Sequence, residues 1–380
     1  MEIREISFFQ SFSCLEGACP QTCCKGWLIP LTDEDRERFR QEKGILKARL
    51  FLATCGGLKE FFNTDSATCP ILTRKGLCSM QLKKGHDYLP ETCRSYPRFY
   101  RNYGEWEERL IDLSCIAGAR LWFENAQNLT FVTKEGEAQS PYTYTNEDRG
   151  FLRSLVTCRS AFVKSLLCVK TLEDLRDTLA KIDAYALSAQ SAYLAGETDF
   201  LTRHPFGSWV YPEDAVSAAD EAPAPPERIF PFSSPTYLDL LHTHFYAERL
   251  SYANPVLHHL CRLCLDESER AFPQKWEAAS ATFLKDHADY IPYYASLFAY
   301  YLCQYFLRTF EDYSFRRNIR SGLIYINMKF FFDALFSQEK GGFDDECFAA
   351  VLSAYSKRAF FSEEILDEMY TALEKRKATL

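Results

Sequence analysis

The sequence predicts a mainly α-helical protein: an N-terminal cysteine-rich metal- or cluster-binding domain with a small β-hairpin, followed by a helical bundle. Three observations predict this. Nine of the 15 cysteines lie before residue 116. A turn signal at Asn102 to Gly104 separates two aromatic or alternating runs, the mark of a hairpin. From about residue 150 onward, apolar residues recur at helical spacing.

Taken in order, Thr32-Asp33-Glu34-Asp35 has the form of a capping box, with acids suited to the positive end of a helix, and predicts a helix running to about Leu50. The hairpin falls in RFYRNYGEWEERLIDLSC, between Arg98 and Cys115. Thr171 with Asp174 is a second capping box, and Leu172, Leu175, Leu179 and Ile182 follow on one helical face. The stretch 212–235, rich in Pro, Ala and acid, predicts a linker or exposed loop. A last helix is expected from Ser362, with Glu363 and Glu364 in its first turn and Lys375-Arg376-Lys377 at its end. The expected divisions are a cluster-binding domain at 1–125, a helical segment at 126–211, the linker at 212–235 and a C-terminal helical domain at 236–380. Residues Tyr290 to Leu307 carry no charge, but tyrosines, Pro292, Ser296 and Gln304 predict a buried helix and no membrane span.

With 380 residues, 47% hydrophobic and 25% charged, the composition is that of a soluble globular protein. A core can be built without disulfide staples. The net charge of −8 excludes broad electrostatic binding to nucleic acid or an anionic membrane. The opening MEIREISFFQSFSC has no basic, apolar and small-residue sequence of a signal peptide, so a cytoplasmic protein with reduced thiols is expected.

Four cysteines fall within eleven residues, in the pattern C14-x4-C19-x3-C23-C24. Cys69, Cys78, Cys93 and Cys115 follow. An isolated cysteine is usually a small buried hydrophobe, but this density points to thiolate ligands for iron or zinc. The pool suffices for one four-cysteine site with thiols left over, or for two. Adjacent Cys23 and Cys24 point different ways, so both rarely serve one centre. The paired C-x2-C knuckle of a zinc ribbon is absent from the first third, and a C-x3-C-x2-C radical signature fails because Gly26 stands in its third place.

The C-x4-C-x3-CC-x2-W opening, the second pair Cys69 and Cys78, and "ETCRSYPR" followed by "LSC" resemble the flagellin lysine-N-methylase (FliB-like) family. The opening is also similar to zinc- or iron-chelating proteins with a CxxCxxCC cluster. The resemblance covers residues 12–117 and, more weakly, the aromatic stretch 289–335. It implies methyl transfer from S-adenosylmethionine to lysines of flagellin or a similar protein, with a [4Fe–4S] cluster on N-terminal cysteines. It implies a ligand pool of Cys14, Cys19, Cys23, Cys24, Cys69, Cys78, Cys93 and Cys115, with Cys55 structural. No G-x-G-x-x-G turn is present, so the methyl donor needs an anchor other than a Rossmann-type one. Zinc is the alternative metal. A non-catalytic chelating module and a redox or electron-transfer protein are the alternative functions.

A lysine nucleophile must lose its proton, and Tyr96 and Asp112 are base candidates by location. Arg98 suits a carboxylate, the charge of a thiolate cluster, or a structural ion pair. Trp27 is expected to be a core anchor. His258, Cys261 and Cys264, and His242, His244 and Glu248, read as helix core faces more readily than as metal sites.

Overall fold

In the computed structural model of the chain, the described residues are 1–25, 28–54, 61–63, 69–140, 143–210, 225–233, 236–237, 240, 272–359 and 370–371. Trp27, Cys55, His242, His244, Glu248, His258, Cys261 and Cys264 lie outside them, as does the helix expected from Ser362 apart from Tyr370 and Thr371, which are helical.

The strands are β1 (Glu2–Ile6), β2 (Leu28–Pro30), β3 (Phe61–Asn63), β4 (Arg98–Asn102), β5 (Trp106–Ile111) and β6 (Phe131–Glu135). The N-terminal helices are α1 (Asp33–Arg40), α2 (Gly44–Ala53), α3 (Ser79–Lys84), α4 (Glu91–Ser95) and α5 (Ile116–Asn125). The helical part comprises α6 (Arg149–Leu167), α7 (Leu172–Leu194), α8 (Phe200–Arg203), α9 (Pro226–Ile229), α10 (Phe272–Asp286), α11 (Ile291–Tyr305), α12 (Thr309–Asp312), α13 (Phe315–Lys340) and α14 (Asp345–Ala359).

Both capping boxes form: Thr32 and Thr171 each accept the amide three residues on, and Asp35 and Asp174 reach back. The helix expected from 33 to 50 is two helices. Gly44 stands at φ +67°, a left-handed backbone that a helix interior does not accommodate, and the extended Lys43 precedes it. The hairpin is likewise half of something larger. β4 and β5 pair antiparallel around Gly104, whose amide is held by Asn102 Oδ1 at 2.8 Å. They continue into a four-stranded sheet of order β4-β5-β1-β6, with β1 parallel to β5 and antiparallel to β6.

β5 breaks the alternation of a half-buried strand by burying two acids. Glu108 is clasped by both terminal nitrogens of Arg159 at 2.7 and 2.6 Å. Glu107 accepts Arg109 Nε at 2.8 Å and the amides of Gln139 and Ser140 at 2.7 Å each. Fully satisfied buried charges of this kind are tolerated where a lone one would not be.

The described residues form two cores. The main one joins the sheet and α5, through Ile6, Trp106, Leu110 and Trp122, to α6, α7, α11, α13 and α14. α11 is buried on every side from Tyr294 to Tyr305, and no helix among the described residues is long and apolar enough to cross a membrane. α13 is the hub, and its polar side chains tie neighbours to it. Arg320 pairs with Asp183 of α7 at 2.9 and 3.1 Å, and Asn327 Nδ2 donates to Ile229 O at 3.0 Å. Ile229 and Phe230 are buried, so the described end of the stretch read as a linker packs into the core. A second, smaller core gathers Ile29, Leu31, Phe39, Leu46, Leu50, Ile71, Met80 and Leu89 from β2, α1, α2, α3 and the segments flanking them.

Gly322 lets α13 approach α11 closely: an added Cβ would lie 2.5 Å from Phe298 and 2.6 Å from Tyr301. Gly322→Ala is expected to lower stability by about 1–3 kcal/mol through overpacking, measurable as a lower denaturant midpoint at unchanged slope.

Candidate metal centre: a thiol-lined cavity

A cavity of about 320 Å³ opens at the seam between the two cores. This is at the low end of the roughly 300–1,000 Å³ typical of small-molecule sites. Cys14, Cys19, Cys23, Cys24, Cys69, Cys78, Cys93 and Cys115 all line it, with Tyr96 and Arg98. Phe12, Leu15 and Cys19 belong to its main-core side, whereas Cys24, Cys69, Cys78, Cys93 and Tyr96 pack on the smaller core. None of the eight cysteines is in a disulfide.

Local structure explains how each thiol is aimed. Cys14 and Cys19 bracket a 3-10 turn at Glu16–Ala18, in which Glu16 takes a left-handed backbone at φ +49°. The Cys69 amide donates to Cys24 O at 2.8 Å, which holds the first cysteine loop against the second. Cys78 is the residue before α3, and an isolated bridge joins it to Leu72. Cys93 lies within α4, whose first amide, Glu91 N, donates to Asp35 Oδ2 at 3.2 Å, so the α1 capping carboxylate also seats this helix. Cys115 is the N-cap of α5.

A backbone pattern repeats at four of the thiols. Cys14 Sγ accepts the Glu16 amide at 3.3 Å. The amides of Gln21 and Ile71, each two residues on, favour the thiolates of Cys19 and Cys69 in the same way, and those of Gly118 and Ala117 favour that of Cys115. Amide-to-sulfur hydrogen bonds favour the thiolate and tune any metal it binds.

Burial works the other way. It pushes the Cys69 thiol up to about 11 and the Cys115 thiol up to about 12. Cys19 is also raised by burial, as is Cys93 more strongly, and for Cys23 the hydrogen bond with Cys24 comes first and burial second. Neutral thiols are poor ligands and bind a metal by releasing protons. Among the described residues, no group of three or more His, Cys, Asp or Glu side chains is spaced to hold a metal ion as it stands. The donor chemistry nonetheless fits a thiophilic centre: eight soft sulfurs face one cavity, several with amides already directed at them.

The other sequence-predicted residues have distinct settings. The Tyr96 hydroxyl is hydrogen-bonded with Ser114 Oγ at 3.0 Å, and Asp112 Oδ1 accepts the Ser114 amide at 2.8 Å. Burial, with Cys115 and Asp112 nearby, pushes the Tyr96 phenol well above its ordinary value, against the hydrogen bond with Ser114. Burial also raises the Asp112 carboxyl, against the hydrogen bonds from Ser114. The Arg98 guanidinium lies 5.8 Å from the Phe9 ring centre and 5.3 Å from that of Phe12. It makes no ion pair or side-chain hydrogen bond among the described residues, so its fork of donors is available to the cavity. Ser114 carried no sequence signal beyond its place beside Cys115. Lys357 carried none: it donates to Thr22 O at 2.8 Å across 335 positions of chain.

The chain is 28% identical over 123 residues to the flagellar biosynthetic protein FliU of Salmonella muenchen, covering 30% of this chain and 72% of FliU. It is 28% identical, again over 123 residues, to the lysine-N-methylases of Salmonella typhimurium and Salmonella choleraesuis, covering 30% of this chain and 30% of each enzyme. These relatives support a FliB-like family for this chain. No family model matches the sequence, and no solved structure matches it.

Proposed function

We propose that the protein transfers methyl groups from S-adenosylmethionine to lysine side chains of flagellin or a similar protein, with a [4Fe–4S] centre held by thiols of the seam cavity. The similarity to lysine-N-methylases supports a protein methyltransferase. The observation that carries the finer reading is the meeting of eight thiols, drawn from residues 14 to 115, with the Arg98 guanidinium in one cavity.

In this reading Arg98 binds the donor's carboxylate through its planar fork. An iron–sulfur centre held by thiols of the cavity would supply a further anchor for the donor's polar groups. The substrate ammonium, with an ordinary pKa near 10.4, gives up a proton before it attacks. The Asp112 carboxylate receives it, reached through Ser114 from Tyr96 at the cavity wall. The nitrogen lone pair then forms the new N–CH₃ bond. The S–CH₃ bond breaks, and its electron pair returns to sulfur.

Purification without oxygen, followed by iron, sulfide and zinc analysis and a labelled-methyl assay on flagellin, tests the proposal. About four irons and methylated lysines are expected. Stoichiometric zinc without methyl transfer would instead identify a chelating module. Arg98→Gln is expected to weaken donor binding about ten- to a hundredfold, the worth of a charged hydrogen bond, as read by the donor's KM or by calorimetry.

A further inference from the structure

Helix α14 reaches the back of the thiol cavity. Ala350, Ser353 and Lys357 stand at spacings of three and four along α14 and share one stripe of its surface. Each position of that stripe holds a cysteine-bearing segment. Gln21 Nε2 donates to Ala350 O at 3.0 Å, Ser353 Oγ donates to Ser114 O at 3.0 Å, and Lys357 Nζ donates to Thr22 O at 2.8 Å. Thr22 precedes the Cys23–Cys24 pair and Ser114 precedes Cys115. The Lys357 ammonium is thereby brought into the electrostatic reach of Cys19, Cys23, Cys24 and Cys115.

A metal or cluster held by several thiolates carries net negative charge, and negative charge at an apolar seam is costly unless a cation faces it. Resting on the metal-centre reading above, we propose that Lys357 is the counter-charge of the thiol site, delivered by α14 to the side formed by Cys19, Cys23, Cys24 and Cys115. It is a positioning residue: it touches the loop and not the substrate, and it acts on the charge of the centre. Helix α14 thus completes a site whose ligands all come from the first third of the chain.

The test compares the full-length wild type with K357M, K357Q and K357R, all purified without oxygen. K357Q retains a donor for Thr22 O, which guards against simple misfolding, and circular dichroism confirms the fold of each. Two properties are read: the midpoint potential of the centre and the rate of metal loss to a chelator. In K357M and K357Q the potential is expected to move negative and the metal to leave about tenfold faster, the scale of an outer partner of a metal ligand. K357R is expected to keep both wild-type values. If the bound metal is zinc, the chelator rate alone decides. Wild-type potential and chelator resistance in a folded K357Q would overturn the assignment while leaving the metal centre standing. A wild type that holds no metal would overturn the centre, and the counter-charge with it.

Discussion

Replacing Cys93 with serine is expected to strip the protein of bound metal and, with it, of methyl transfer. Cys93 sits on α4, which is seated on the Asp35 carboxylate, and it lies in the electrostatic reach of Cys23, Cys69 and Cys78. It is therefore a thiol faced by three others across the small-core side of the cavity. A serine hydroxyl is a hard and weakly acidic ligand, ill matched to iron or zinc in a sulfur site. Loss of an outer partner typically costs about 10–100-fold in metal affinity, so loss of an inner thiolate should exceed about a hundredfold. Metal analysis and the visible spectrum of C93S, with C168S as the control, make the check. Cys168 is an exposed cysteine at the end of α6. Metal retained in C93S but lost in C168S would move the centre out of the seam cavity.

The second large effect is expected in the core of the helical part. Lys329 and Asp333 are wholly buried one turn apart on α13 and form an ion pair. Tyr294 OH also donates to Asp333 Oδ2 at 2.6 Å, and the Lys329 ammonium sits 3.6 Å above the Phe348 ring. Asp333 Oδ1 has no hydrogen-bond partner among the described residues. Breaking such a pair from one side strands a buried charge, so K329M is expected to cost about 3–5 kcal/mol at neutral pH. Replacing all three polar groups, as Y294F/K329M/D333L, is expected to be neutral or stabilising.

Burial pushes Asp333 up to about 6 and Lys329 down to about 8. Between the ordinary aspartate value and pH 6 the folded state binds more protons than the unfolded one, so this pair's contribution falls as pH rises. Between pH 8 and the ordinary lysine value the unfolded state binds more, so the contribution rises again. The pair is thus least favourable from about pH 6 to pH 8. Denaturant unfolding across pH 4 to 10 should show this minimum in the wild type and its absence in the triple variant. A single variant as stable as the wild type at pH 7 would rule out a buried, ionised pair.

What the sequence determined by itself is local. The Thr32 and Thr171 caps, the turn at Gly104 and the buried helix at Tyr294 to Tyr305 all rest on hydrogen bonds or periodicities that close within a few residues. Residue chemistry is equally local, so the dense thiols between Cys14 and Cys115 could be named as one pool from their spacing and family resemblance. Tertiary structure decided the rest, because each remaining feature depends on a contact between distant parts of the chain. β1 is a strand of the sheet because it finds β5 a hundred residues on, and β6, mostly exposed, has no alternation to announce it. Glu107 and Glu108 look like surface charges until Arg109 and Arg159 enclose them. Lys357 looks like one more basic residue near the end of a helix. It faces the thiol site only because α14 packs along α5 and lays one stripe against the cysteine loops. Short-range hydrogen bonds leave a periodic trace in a sequence. A cavity assembled at the seam of two cores leaves none, since its walls are joined by packing and not by spacing.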